Sequence, residues 1–199
     1  MIRKLYSRLP RSRQALIRQA RTADNGAALE ALDRLRARGW TQDGSLRGAD
    51  FQGANLVGAR LARADLEQIA LCEANLEGAY FGAARLRSAD FQGAILVGAN
   101  LCDAHLRGAC FTGADLRRAH LAAADLRGAD LRQANLVDAN LWHAALEGAD
   151  LTGASLTGAN LDGVRCDAHT ILPDGSAWTP AADLRRFVSD SPTHSPDRE

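Results

Sequence analysis

From Gly44 to Gly163 every fifth residue of the chain is Leu or Phe, beginning at Leu46 and ending at Leu161. Of these 24 centres, 20 are Leu and four are Phe: Phe51, Phe81, Phe91 and Phe111. The residue two before each centre is Ala in 22 cases, with Gly44 and Ile69 the departures. The residue just before is usually Asp or Asn, as at Asp50, Asn55, Asp65, Asn75 and Asp90, and Gly often sits two after, as at Gly48, Gly53, Gly58 and Gly78. The unit reads Ala-(Asp/Asn)-Leu-x-Gly. Period five suits neither an α-helix nor a flat strand. On a helix, a step of five rotates each Leu by a net of about 140°, so the leucines spiral all round and no face is left to bury. A turn in every unit removes the conflict. Each pentapeptide becomes one side of a square coil, with the centre and the Ala two before it inward and the other three positions outward. Four sides make a coil, and coils stack about 4.8 Å apart through backbone hydrogen bonds. The 24 units predict six such coils. A longer echo agrees: LRGADFQGA at Leu46–Ala54 returns as LRSADFQGA at Leu86–Ala94 and LRGADLRQA at Leu126–Ala134, two coils apart each time. A hexapeptide helix would need period six, and the register never slips.

This pattern resembles the pentapeptide-repeat family, and the resemblance covers Gly44 to about Ala168. It implies an all-β solenoid, a right-handed quadrilateral parallel β-helix; the handedness comes from the resemblance alone. Departures are Gly44, Ile69 and the bulky outward residues Tyr80, Ile95 and Trp142, and the pattern decays at Val164, Cys166 and His169. Most members of the family have no assigned activity. Some resemble B-form DNA in size and charge, bind type II topoisomerases such as DNA gyrase, and confer quinolone resistance.

Open coil ends expose unpaired backbone and need covers. Residues 11–39 read as two helices around a turn at Asp24-Asn25-Gly26, with Gly39 as the stop and Trp40 set to pack on the first coil. Residues 1–43 are thus expected to be a basic helical cap and 44–170 the β-helix. Leu172-Pro173-Asp174-Gly175 signals a turn. A short helix capped by Thr179 with Pro180 at its first position is expected to run to about Val188, giving a C-terminal cap over 171–188. Trp178, Leu184 and Phe187 are its candidates for covering the last coil or contacting a second chain. Residues 189–199 are polar and rich in Pro and Ser, the composition of a disordered tail.

Composition then changes the picture in two ways. Apolar residues make up 46% of the chain but aromatics only 5%, which a core of Leu and Ala explains. A tube so filled leaves no room for the concave pocket of a ligand or substrate. No catalytic, cofactor or metal site is expected, and no small-molecule substrate. Zero net charge, from 24 basic and 24 acidic residues, hides a segregation. Residues 1–43 carry +6, residues 44–170 carry −4 and residues 171–199 carry −2. There is no run of 18 apolar residues, no secretory apolar stretch, no GxxxxGK[ST], HExxH or GxSxG. Cys72, Cys102, Cys110 and Cys166 show no zinc spacing, and a reducing cytoplasm is the simplest setting.

Positions twenty apart share a wall. The wall of Leu46 carries Arg47, Glu67, Arg87, Arg107, Arg127 and Glu147 just after its centres, flanked by Arg85, Arg165, Asp65 and Asp125. The next carries Asp50, Asp90, Asp130 and Asp150, the third Val57, Val97 and Val137, and the fourth Tyr80, Cys102, His120, Trp142 and His143. Arg47, Arg87, Arg107 and Arg127 are candidates for an anionic partner, against the simpler reading of a solvated face of ion pairs. Tyr80 and Trp142 are candidate contact residues, Trp142 because an outward Trp on a polar rod has no packing role in its own coil. His120 and His143 lack a third ligand for a metal. The basic N-terminus, with Arg3, Lys4, Arg8 and Arg11, fits a charged cap surface, with an anionic membrane or nucleic acid the other reading. The functional expectation is a non-enzymatic interaction scaffold for an unidentified protein partner, with no direct nucleic-acid binding, as a monomer or an end-to-end homodimer. The alternative is a gyrase-binding DNA mimic, which the Arg-rich wall and the modest charge of the repeat weaken.

Overall fold

The structure, a computed structural model, describes residues 12–189. The expectations for Arg3, Lys4, Arg8, Arg11 and for the tail after Ser189 lie outside the described residues.

The residue before each centre forms a parallel bridge to the residue twenty further on, from Asp50↔Ala70 to Ala145↔Arg165. Bridged residues recur every five, so they stand in four columns. Every centre from Leu46 to Leu156 is buried, as are the Ala positions from Ala54 to Ala159 and Ile69 in its Ala position. The rings of Phe91 and Phe111, on successive coils, stack parallel with centroids 4.8 Å apart, the coil spacing itself. Phe81 meets Phe91 edge-on at 6.1 Å.

The unit around Leu76 shows where its backbone donors go. Asn75 N–H reaches Ala54 O in the preceding coil; Leu76 and Gly78 N–H reach Ile95 O and Val97 O in the following one; Ala79 N–H closes a turn onto Leu76 O. The remaining donor, Glu77 N–H, is taken by the Asn75 side chain at 3.2 Å. The same side-chain bond recurs from Asp50, Asp90, Asn100, Asp115 and Asp150, which explains the Asp/Asn preference before the centre: it satisfies the one amide no coil can reach. The residue two after each centre has positive φ, the sign that the third position of a type II turn requires. Glycine occupies many of these positions without strain, and Arg63, Gln68, Ala123 and His143 hold the same left-handed conformation at a cost of about 1 kcal/mol or more each.

The walls contain no extended strands among the described residues: each contributes a single bridged residue between turns. A side of five residues that spends most of its length on a turn has no room for the three or more residues of an ordinary strand.

Helix α1 spans Arg13–Ala20, capped by the Ser12 side chain on Ala15 N–H, and α2 spans Asn25–Ala37, capped by Asp24 on Ala27 N–H. Asn25 and Gly26 therefore lie inside α2 and not in the turn the dipeptide suggested, because Asp24 serves as an N-cap. At the other end Gly39 N–H bonds Arg36 O and Trp40 N–H bonds Leu35 O, the paired bonds of a Schellman stop, with Gly39 at φ 73°. Leu16, Ala20, Ala28, Ala31, Leu32 and Leu35 join the core of the coils, with Trp40 half-buried against it. Thr22 O and Thr41 O accept from Asn55 and Asp65 N–H, replacing the acceptors a preceding coil would supply.

After Leu161 the register lengthens by one residue at Asp150↔Ile171, and Ile171 pairs antiparallel with Ala177. The helix expected from Thr179 begins later. A turn closes Ala182 N–H onto Thr179 O, and a short 3-10 helix then runs Leu184–Phe187 with Asp183 as its cap. Asp183 offers its carboxylate to Arg185 N–H, a direct acceptor that the threonine does not provide.

Candidate interaction surfaces

The outward positions are built on the most regular part of the chain, so their side chains stand in fixed columns. On the Leu46 wall the ladder does not act uniformly. Arg47 grips the buried Asp65 through two bonds of 2.8 and 2.7 Å and lies 3.7 Å from Glu67. Arg127 grips Asp125 through two bonds of 2.7 Å. Arg85 approaches Asp65 at 3.7 Å, and Arg165 approaches Glu147 at 3.1 Å. Arg87 and Arg107 are exposed and form no ion pair within 4.0 Å among the described residues.

A local rule governs the pairing. Wherever Asp stands two before an Arg across the centre, the turn folds one onto the other: Asp115 with Arg117, Asp125 with Arg127, Asp130 with Arg132. The guanidinium bond holds each of these carboxyls below the usual range, as Arg47 does for Asp65, against burial that pushes each upward. A carboxyl depressed in the folded state adds stability above its unfolded pKa of about 4, and that stability is lost as the pH falls through the folded value. The urea midpoint is therefore expected to hold from neutral pH to about 5 and to fall below about 4. Asp65→Asn should be less stable at neutral pH and lose less on acidification; an acid decline identical to wild type would refute the assignment.

The fourth wall holds the exposed aromatics. Tyr80 is 52% and Trp142 49% exposed, three coils apart, or about 14 Å along the axis. Trp142 is not covered by a terminal segment among the described residues; its ring stands edge-on to His143 at 4.2 Å, and His143 lies over Gly163, where an added Cβ would collide with the imidazole. Among the described residues no group of His, Cys, Asp and Glu is placed to hold a metal. The cysteines are free, and burial pushes the Cys72 and Cys166 thiols up to about 11, away from thiolate chemistry.

At the C-terminal end Leu184 closes over an apolar hollow with Leu156, Leu161 and Leu172 that has room for about one water. Phe187 is half-buried against the core under Arg186, whose guanidinium lies 4.5 Å from the ring centroid. Trp178 is half-buried and stands apart from the core, its backbone N–H bonded to Thr170 O. An open groove of about 540 Å³ separates Asn160–Gly163 from Ala182–Arg185. The pairing rule was the part sequence reading missed; its signal is the residue two before each Arg.

No helix of the described residues is long and apolar enough to cross a membrane. No curated protein matches the chain. Among solved structures it is similar to HetL, a pentapeptide repeat protein involved in heterocyst differentiation regulation from the cyanobacterium Nostoc, at 38% identity and a TM-score of 0.34 over 66% of this chain. The chain spans 65% of the length of that protein. It is also similar to a pentapeptide repeat protein from the Arabidopsis thaliana thylakoid lumen, at 35% identity over 59% of this chain and 72% of the other, TM-score 0.27. QnrB1, a plasmid-mediated fluoroquinolone resistance protein, aligns at 20% identity over 59% of this chain and 79% of its own, TM-score 0.48. The profile of the family described as pentapeptide repeats matches in eight copies between residues 45 and 165, well over half the chain. With its five-residue units bridged every twenty residues, the chain belongs to the pentapeptide-repeat family.

Proposed function

We propose that the protein is a non-enzymatic, cytoplasmic scaffold: a six-coil quadrilateral rod over residues 44–170, covered by the helical cap of residues 1–43 and the segment 171–188, that presents its outer walls to a protein partner. The observation that supports this most is the interior. Each centre from Leu46 to Leu156 is a buried Leu or Phe, so chemistry and recognition are left to side chains on the outside. There the Arg column and the exposed Trp142 provide the residue types that concentrate binding energy at interfaces. The Arg-rich wall argues against an acidic DNA mimic. The open groove beside Leu184 suits an end-to-end contact between two chains as well as a monomer's loose cap.

The test is affinity capture from the source cell with wild-type protein, Trp142→Ala and Arg107→Ala. A specific protein is expected to be retained by the wild type and weakened by at least one variant. Inhibition of gyrase supercoiling by the purified protein at about micromolar concentration, with no such protein retained, would overturn this reading in favour of the mimic.

A further inference from the structure

The pairing rule singles out one region. Arg117, Arg127 and Arg132 each follow an Asp by two residues and are neutralised by it. Arg87 instead follows Arg85, and Arg107 follows His105. On two successive coils the wall therefore shows a base on both sides of the centre, where the coils just before and after set Asp65 and Asp125. All four side chains are exposed. Arg87 and Arg107 stack on neighbouring coils, where like charges are destabilising, while Arg127 one coil further is neutralised by Asp125. Of the nearest acids, Asp65 is chelated by Arg47 and approached by Arg85 at 3.7 Å, Glu67, one coil before Arg87 in the same column, lies 3.7 Å from Arg47, Asp125 is chelated by Arg127, and Asp103 sits beside His105 around the corner.

We propose that this plate, Arg85, Arg87, His105 and Arg107, is the docking surface for an acidic helical segment of a protein partner. The inference rests on the scaffold reading above and names the chemistry of its partner. Spacing selects a helix. The column advances about 4.8 Å per coil, within the span of about 4.5 to 6.0 Å between carboxylates at i and i+3 or i and i+4 of a helix, whereas alternate residues of a strand advance nearly 7 Å. Width agrees. Asp90 flanks the plate on the adjacent wall and Asp103 on the other side, so the basic strip is narrow. Such a strip suits a helix about 10–12 Å across better than a broad polyanion such as a nucleic-acid duplex, which would also meet the flanking carboxylates.

The probe is a fluorescein-labelled alanine-based peptide of about 16 residues with Glu at every fourth position, compared with its Gln counterpart and with a single-stranded oligonucleotide, by anisotropy at about 50 mM salt. The full-length protein is expected to bind the Glu peptide and not the Gln peptide. Arg87→Glu and Arg107→Glu should each weaken binding about tenfold, and Arg117→Glu, at an Arg already paired on another wall, should leave it unchanged. Melting curves of all three variants check that the coils stay folded. Absence of Glu-peptide binding, equal weakening by Arg117→Glu, or tighter binding of the oligonucleotide through Arg87 and Arg107 would each overturn the proposal. A captured cellular protein that Trp142→Ala releases and Arg87→Glu retains would sink this inference while leaving the scaffold reading intact. Glu-peptide binding with no protein captured would do the reverse.

Discussion

Phe91→Ala is expected to lower the stability of the protein by about 3–5 kcal/mol, the largest effect of any single truncation in the coils. Phe91 is fully buried, stacks on Phe111 at 4.8 Å and meets Phe81 edge-on at 6.1 Å, so its removal breaks two ring contacts and opens a void on the axis. The coils cannot close over that void. Their spacing is set by backbone bonds on all sides, such as Phe91 N–H to Cys110 O and Asp90 N–H to Ile69 O, which hold the walls apart whatever lies between them. Phe91→Leu should cost about 1.5 kcal/mol or less, because Leu is the residue that most centres already use. Urea unfolding followed by circular dichroism measures both. A loss below about 1 kcal/mol for the alanine variant would mean that the interior is not close-packed, and would remove the physical ground for placing recognition on the outer walls.

What the sequence made legible follows from repetition. A single Ala-Asp-Leu-x-Gly unit is ambiguous, but the same unit held in register from Leu46 to Leu161 excludes every period except five, and the forty-residue echo supports coils of twenty residues. Gly at Gly58 and Gly78 announced a turn, and the structure supplies the reason in their positive φ. The strand-free walls were not legible, because alternating burial looks the same whether one residue or five are extended. The ends were read less well than the repeat for a related reason. Asn25-Gly26 and Thr179-Pro180 each occur once, so local preference had to decide alone, and in both cases a nearby Asp took the cap instead. The wall assignments were right as positions, and Arg47, Arg87, Arg107 and Arg127 do share a column. Their different electrostatic states depended on Asp65, Asp125, Arg85 and His105, residues that matter only once the turn folds them alongside.

Leu35→Asp is expected to detach the helical hairpin and turn the protein into a self-associating rod. Leu35 is fully buried and belongs to one continuous core with Leu16, Leu32 and the first coils. An ionised carboxylate there has no basic partner within the core and costs several kcal/mol to bury, more than the docking of so short a hairpin withstands. The same stretch of chain carries Thr22 O and Thr41 O, the acceptors for Asn55 and Asp65 N–H, so detachment bares apolar side chains and unpaired backbone together. That combination is the edge that templates association with another chain. Repeat arrays are stabilised by nearest-neighbour contacts, so the distant coils should remain folded. Hydrogen exchange should therefore show lost protection in α1 and α2 with protection kept around Leu96–Leu116, and light scattering should show species larger than wild type at the same concentration. If Leu35→Asp were tolerated without lost helix protection or added mass, the hairpin would rest on the rod without covering it, and the first coil would then have to be stable with its end open.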